Sequence, residues 1–478
     1  MNLYDVAVIG AGVSGASVAW QLSKYELKVA LLEKEVDVGF GVSKANSGIV
    51  HGGFHHSSAK TLKARLEVKG NLMFEALQYQ LGFPFKRNGI LVVAYSEEQM
   101  ETVRLLYRQG KANGVRNLEL CGRDRLHQLE PKLSEDAVGG FFAPNGGTIE
   151  PYRYVFALVE GAKRGGVELK TGFVVTGARR RGKVWEISDA SGNTVCARYV
   201  VNAAGLYADD VSRIFGAEDY TITPRKGEEY LLDRHTKASV KRVIFPVPTK
   251  VSKGILVIPT VEGTVMIGPT AEMEPDKANV ATSAGNLEQI LAQVKHMVDG
   301  VSVTDVITSF AGMRPTMPGD DFYIDLSKKV PDFVQVAGIQ SPGLTASPAI
   351  GEYVKDLLKS AGLALVEKSE PEPEVPETAE IRHHTPAEID ELCGKDPAYG
   401  QVVCRCEQVS EAEIVEAIRR GHTTIDGIKF YTRSGMGRCQ GGFCTERIIK
   451  IICRETGMKP EEITKRGEGS QLIEGRLE

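Results

Sequence analysis

The chain carries two constellations whose residue types and spacing can do chemistry, and they lie near opposite ends. Close to the start, Gly10, Gly12 and Gly15 form G-x-G-x-x-G between the apolar run "DVAVI" and a helical stretch. The first glycine permits a tight turn, the second lets backbone approach a pyrophosphate, and the third lets helix and strand pack closely. Glu33 ends the next apolar run, at the separation where a carboxylate accepts hydrogen bonds from a ribose. Towards the other end, Cys404 and Cys406 stand one residue apart, and "QGGF" separates Cys439 from Cys444. In a reducing compartment such a cluster points to metal before disulfide. Four thiolates suit a [2Fe–2S] cluster. Structural zinc usually takes more widely spaced pairs, and a zinc-stabilised docking module remains the alternative.

These residues need elements to hold them. At 478 residues the chain exceeds what one core usually organises, so two or three units are expected. Its composition, 42% hydrophobic and 25% charged with a formal net charge of -4, is that of a globular protein and argues against nucleic-acid binding. With so little net charge, any anion site must be a local arrangement of Arg, Lys or helix ends. No apolar run is long enough to span a membrane, and the first strand starts too early for a signal peptide, so a cytoplasmic protein is expected. Cys393 and Cys453 read as small buried hydrophobes rather than ligands.

Residues 5–35 read as strand, glycine turn, helix and second strand. Residues 60–81, 97–114 and 148–166 carry helical patterns, "GILVVAY" (89–95) reads as a strand, and strands are expected around Val174, at 184–187 and at 199–202. Between 220 and 310 the runs "EEYLLD", "RVIFPVP", "GILVIPT" and "GTVMIGP" predict an antiparallel sheet. The α/β rhythm returns at 333–362, which makes the first domain discontinuous. The acid–proline stretch "EKSEPEPEVPETAE" (367–380) reads as a linker. Ser410 and Glu413 form a capping box at the start of a helix reaching Arg420, and Cys444 lies where another helix begins. The closing "IEGRLE" matches a protease-cleavage sequence about as well as a native tail and is left out of the fold reading.

The G-x-G-x-x-G does not by itself separate FAD from NAD. No second copy follows, so reducing equivalents are expected from a directly bound substrate. The segments "SKANSGIVHGGFHHSSAKTLKARLEVKG" (43–70), "VNAAGLYAD" (201–209), "FAGMRPTMPGD" (310–320) and "GIQSPGLTASPAIG" (338–351) resemble, in order, those of FAD-dependent oxidoreductases of the D-amino-acid oxidase and glycerol-3-phosphate dehydrogenase type. The stretch 43–70 is also similar to L-2-hydroxyglutarate dehydrogenases. "VVCRCEQVSEAEIVEAIRRG" and "TRSGMGRCQGGFC" resemble the bacterioferritin-associated-ferredoxin-like domain appended to anaerobic glycerol-3-phosphate dehydrogenase large subunits.

The resemblance implies an α/β fold: a Rossmann-like FAD-binding domain (1–82, 141–219 and 311–365) with an inserted antiparallel-sheet substrate domain (83–140 and 220–310). A linker (366–382) and a small helical [2Fe–2S] domain (383–470) follow. Gly10, Gly12, Gly15 and Glu33 would hold the ADP half of FAD, Val174 would meet the adenine from its strand, and Lys44, Asn46 and Ser47 would lie along the pyrophosphate and flavin ring. Gly312, Gly343, Leu344 and Thr345 would close over the ring, and Cys404, Cys406, Cys439 and Cys444 would hold the cluster. Arg314 is expected to anchor the substrate's anion, or else to make a structural salt bridge. His51 is expected to accept a proton, or only to hydrogen-bond the loop or flavin. His55 and His56 are expected to form pocket wall or surface. Glycerol-3-phosphate enzymes usually place an arginine shortly after the glycine pair, where this chain has Phe54 and His55. The implied activity is oxidation of a small anionic hydroxy compound: glycerol 3-phosphate first, L-2-hydroxyglutarate or another hydroxy or amino acid second. Electrons would leave through the cluster to a partner subunit.

Overall fold

The computed structural model describes residues 3–248, 253–369 and 375–475. Its contacts divide the chain into two compact units, Met1–Lys34 with Val38–Val375, and Glu35–Asp37 with Pro376–Glu478.

In the large unit, the strand Leu3–Ile9 pairs in parallel with Val29–Leu32 on one side and Thr194–Asn202 on the other, inside an eight-stranded sheet. Val6, Ala7 and Val8 are wholly buried, as expected of a parallel strand covered on both faces. Trp185, Phe215 and Phe333 pack against one side of this sheet. The helices Val13–Leu22, Pro151–Arg164 and Gly343–Ser360 pack together, the first touching both others.

A second sheet of nine strands contains Ile90–Ala94, Glu119–Gly122, Gly139–Ala143 and the five strands from Thr223–Leu232 to Glu272–Met273, with Val306–Thr316 paired to Thr223–Leu232. The helix Ala284–Val294 buries Ile290 and Val294 against it. The sheet departs from the expected antiparallel pattern at one place: Val243–Pro246 runs parallel to Ile90–Ala94. No hairpin joins these two strands, so nothing in the chain forces them to be antiparallel. The sheet strands Gly139–Ala143 and Val306–Thr316 run across the expected limits at 140/141 and 310/311.

Two further expectations change. Residues 60–81 form two helices, Leu62–Asn71 and Phe74–Leu81, and the break follows Asn71, whose amide donates to the carbonyls of His51 and Asn145. Val174 is not on a strand. The edge strand Glu168–Lys170 is short, and Gly172, at φ +67°, turns the chain before Val174 is reached.

In the small unit a two-stranded ribbon, Val402–Cys404 with Val409–Ser410, leads into the helices Glu411–Arg419, Ile425–Thr432 and Thr445–Thr456. Ser410 and Glu413 form the expected capping box, and Cys444 is the N-cap residue of Thr445–Thr456. Of the expected linker, residues 370–374 lie outside the described residues. Residues 375–382 are more ordered than acid–proline composition suggests, because Val375 and Ile381 are buried and Thr378 hydrogen-bonds Tyr431 at 2.8 Å. The last three residues of "IEGRLE" also lie outside the described residues. Among the described residues no helix is long and apolar enough to cross a membrane.

Candidate active site and cysteine centre

The glycine turn is built for close approach. A Cβ on Gly15 would lie 1.8 Å from the Gly10 carbonyl oxygen, and one on Gly10, already at φ +100°, 2.5 Å from the Ala203 carbonyl oxygen. The helix Val13–Leu22 opens at Gly12, and Ser43 Oγ accepts from the Val13 N–H at 2.9 Å. The buried Glu33 carboxylate accepts from the Ala11 N–H at 2.7 Å, and its backbone carbonyl accepts from the Phe173 N–H. A helix start with a carboxylate at its mouth and no room for side chains fits a dinucleotide.

The next loop leads from this turn to a second, more polar site. Lys44 lies over the Phe40 ring at 5.0 Å. Asn46 braces the loop, donating to the Ser43 carbonyl and accepting from the Gly48 N–H. Ser47 donates to Glu229 at 2.6 Å. Gly312 comes so close to this loop that a Cβ would lie 2.0 Å from the Ala45 carbonyl oxygen.

The strands Thr223–Leu232 and Val306–Thr316 pair with Arg225 opposite Arg314 and Gly227 opposite Gly312. Directly opposed residues share a face, so two guanidinium groups project on the side that also carries Glu229. A Cβ on Gly227 would lie 2.0 Å from Arg314 Nη2, so the missing side chain is what lets Arg314 lie across the strand. Arg314 donates to the Thr270 carbonyl and Arg225 to the Gln340 side-chain oxygen, each at 2.8 Å. Arg225 Nε is buried without a partner. Burial, then the Arg225 charge, pulls the Arg314 guanidinium down to about 10, with Glu229 opposing. Two enclosed cations bonded only to neutral acceptors attract an anion strongly. Glu229 is pushed up to about 7 by burial, against the pull of Ser47 and Arg314.

Beside the arginines, three polar groups meet. Ser341 Oγ lies 3.1 Å from Lys253 Nζ and 3.2 Å from His51 Nε2. The His51 N–H donates to Thr345 Oγ1 at 2.8 Å, and His51 Nδ1 is buried without a partner. Burial, then Lys253 and His56, holds His51 well below the ordinary histidine value, so the ring is neutral. Burial likewise pulls the Lys253 ammonium down to about 8, with the Glu67 carboxylate opposing. The serine hydroxyl therefore sits between a neutral imidazole and an ammonium, the surroundings an alcohol needs to lose a proton. His55 packs between Phe54 and Phe245 as pocket wall, and burial first of all holds His56 down to about 3.

The structure thus links the 44–47 loop, Gly312, Arg314, His51 and Thr345 through direct contacts or shared neighbours. Gly343 and Leu344 share the first turn of the helix Gly343–Ser360 with Thr345. Val174 joins none of these contacts and is 49% exposed.

In the small unit the thiols form two pairs. Cys406 Sγ lies 3.6 Å from Cys439 Sγ, and Cys404 is hydrogen-bonded to Cys444. That bond, followed by the backbone N–H groups of Gly435 and Glu407, holds the Cys404 thiol below its ordinary value despite burial. The Cys439 N–H points at Cys406, and the N–H groups of Phe443 and Gly441 point at Cys439. Among the described residues no three ligating side chains converge on one point. Two thiol pairs wrapped in backbone donors fit a cluster with two irons, which needs two thiolates on each and gains from hydrogen bonds to sulfur.

Residues 5–357 match the family model described as FAD dependent oxidoreductase. The chain belongs to this family. Residues 402–454 of this flavoenzyme match the BFD-like [2Fe-2S] binding domain, which favours the cluster over zinc. The flavoenzyme is 42% identical to a glycerol 3-phosphate dehydrogenase of Caloramator mitchellensis, over 99% of this chain and 98% of that one. It is 27% identical to a mitochondrial L-2-hydroxyglutarate dehydrogenase of Nematostella vectensis, covering 74% of this chain and 90% of the other. Among solved structures, it is similar to the dithionite-reduced L-alpha-glycerophosphate oxidase of Mycoplasma pneumoniae with FAD bound. That likeness has a TM-score of 0.75 and 29% identity, over 79% of this chain and 100% of that one. Its cofactors are FAD and a [2Fe–2S] cluster.

Sequence reasoning about the flavoenzyme missed Arg225, Glu229, Lys253 and Ser341. Only the pairing of two distant strands puts Arg225 beside Arg314, and no motif marks Lys253. Ser341 lies in the same segment, 338–351, as Thr345, and its hydroxyl is one of three there.

Proposed function

We propose that the flavoenzyme oxidises sn-glycerol 3-phosphate to dihydroxyacetone phosphate and delivers the electrons through its small unit to a partner subunit. One observation carries the reading: the opposed pair Arg225 and Arg314 stands beside a hydroxyl held between His51 and Lys253. A phosphate takes its place against the two guanidinium groups, where bidentate contacts hold a dianion. That second arginine supplies what the absent arginine at Phe54–His55 would have given. The substrate's secondary hydroxyl enters beside Ser341 Oγ, within reach of the same His51 and Lys253. It gives its proton to His51 Nε2, while Lys253 steadies the negative charge developing on oxygen. Being neutral, His51 is ready to accept at physiological pH.

Gly10, Gly12, Gly15 and Glu33 hold the ADP half of FAD, with Val174 on the adenine side. Lys44, Asn46 and Ser47 border the pyrophosphate and ring, and Gly312 with Gly343, Leu344 and Thr345 closes over the ring. Cys404, Cys406, Cys439 and Cys444 hold the cluster. When bound, FAD supplies a two-electron acceptor and the cluster a one-electron carrier. We place the reaction in the cytoplasm, a reading supported by eight free thiols.

L-2-hydroxyglutarate is the second substrate reading, favoured by the Nematostella relative. Turnover of each compound with an artificial dye acceptor tests both. Glycerol 3-phosphate is expected to give a far higher kcat/KM; a preference for the dicarboxylate would transfer the assignment, and inactivity with both would end it.

A further inference from the structure

The cysteine centre turns one edge to solvent. Cys406 is exposed and Cys439 partly so, whereas Cys404 and Cys444 are buried. The residues adjoining the ligands on that edge are large and solvent-facing: Arg405 between Cys404 and Cys406, Arg438 before Cys439, and Phe443 before Cys444. Phe443 is 84% exposed, more than any other large apolar side chain among the described residues. It follows Gly441 and Gly442 on a loop whose backbone N–H groups serve Cys439, and the loop gains no packing from its ring. Val402, 39% exposed, adds apolar surface, and the exposed Arg447 donates to its carbonyl at 2.8 Å.

Charge around this edge is lopsided. Near the ligands, Glu407 is buried against Arg433 at 3.0 Å and the exposed Glu446 is paired with Lys450 at 2.6 Å. The charged side chains facing solvent beside the ligands are therefore Arg405, Arg438 and Arg447 against one acidic residue, the Lys450-paired Glu446, on a chain whose net charge is -4. An apolar anchor amid arginines is the composition of a protein-binding patch. A cationic rim selects a partner by charge and speeds its arrival.

We infer that this face docks a protein electron carrier whose own redox centre lies under an apolar patch rimmed by carboxylates. The inference rests on the reading of the small unit as an electron carrier and adds which surface the partner meets and what that partner must present. Phe443 fills the partner's apolar patch, Arg405 and Arg438 meet its carboxylates, and the exposed Cys406–Cys439 edge faces the partner's centre across the shortest gap. One electron crosses at a time, oxidising one centre and reducing the other, with no bond made or broken.

The test uses the full-length holoenzyme without air and reduced flavodoxin, an acidic one-electron carrier protein, as probe, with the basic protein cytochrome c for contrast. Transfer of one electron from flavodoxin to the cluster is followed in rapid mixing by the cluster's visible absorbance. The rate is expected to fall about tenfold or more between low and high salt. Arg405→Glu combined with Arg438→Glu is expected to slow the low-salt reaction by roughly the same factor and to flatten its salt dependence. Phe443→Ser is expected to raise the half-saturating flavodoxin concentration several-fold while leaving the salt slope intact. All variants should keep the native cluster spectrum and its bleaching by dithionite, which separates docking from folding. Equal rates in the charge-reversed and native proteins, an unchanged half-saturation in Phe443→Ser, or faster exchange with cytochrome c would each overturn the inference. Binding to phosphatidylglycerol vesicles that charge reversal abolishes, with flavodoxin kinetics unaffected, would reassign the face to a membrane. A native cluster that dithionite cannot reduce would sink the parent reading instead.

Discussion

The two centres of this flavoenzyme are assembled on opposite plans. The proposed substrate site gathers His51, Arg225, Lys253, Arg314 and Ser341 from across the large unit, and neither Arg225 nor Lys253 belongs to a motif. The cysteine centre uses two short segments, and its hydrogen-bond donors come mostly from the same turns that carry the ligands. A site of the first kind exists only once the sheet pairing is made, whereas one of the second kind is written into local turns. The contrast implies that the centres can be broken one at a time.

The largest effect should follow from removing the proposed proton acceptor. His51→Gln is expected to lower kcat with glycerol 3-phosphate by about a hundredfold to ten-thousandfold, while flavin and cluster absorbance stay unchanged. Arg314→Met is expected to cost about a thousandfold in kcat/KM, because it leaves Arg225 alone against the anion. Either variant that lost cluster colour would show that the centres depend on one another. The reverse cut is Cys439→Ser: the cluster spectrum should vanish, dye-linked turnover should persist, and transfer to a protein acceptor should stop. Dye-linked turnover lost together with the colour would undo the contrast from the other side.

A pH profile in dye-linked assays sharpens the comparison because Lys253 and His51 both belong to the large unit. Lys253, pulled down to about 8, is charged below that value and loses its charge above it. In dye-linked assays kcat/KM should therefore fall as pH rises through about 8, and Lys253→Arg should move that fall to higher pH. His51 lies well below the ordinary histidine value, so it stays neutral as pH drops, and no loss centred on pH 6.5 is expected from it. A loss there that disappears in His51→Gln would refute the assignment of His51 as a neutral acceptor.

Legibility in the sequence divides along the same line. The glycine turn, Glu33, the cysteine segments and the Ser410 capping box are short-range patterns, and the structure packs the glycines against backbone, sets Glu33 on the Ala11 N–H, pairs the four thiols and forms the capping box. Arg314 and His51 could be named from their segments, but not their surroundings. Arg225 sits in a run whose alternation says only that it is a strand, and its role depends on register with Val306–Thr316. Val174 was misplaced because an apolar pair reads as a strand, whereas the turn at Gly172 ends the sheet edge first. The parallel pairing of Val243–Pro246 with Ile90–Ala94 joins segments with no periodic signal linking them.

The smallest expected effect asks whether the small unit's stability is as local as its chemistry. Ser410 is fully buried, and its hydroxyl donates to Glu413 at 2.7 Å while accepting from the Glu413 N–H at 3.4 Å. The Ser410 N–H donates to the same carboxylate at 2.9 Å, and the Glu411 N–H donates to the Gln401 carbonyl, so the start of the helix Glu411–Arg419 is satisfied from within the small unit. Ser410→Ala removes the cap and leaves Glu413 with one bond fewer in a buried place, where burial already raises its pKa. Loss of an N-cap costs about 0.5–2 kcal/mol, and this variant should fall towards the upper end because the carboxylate stays enclosed. Thermal loss of the cluster's visible absorbance should move down by several degrees, while the loss of bound flavin keeps its temperature. If both transitions moved together, the cap would be supporting more than the helix it begins, and the small unit's independence would have to be abandoned.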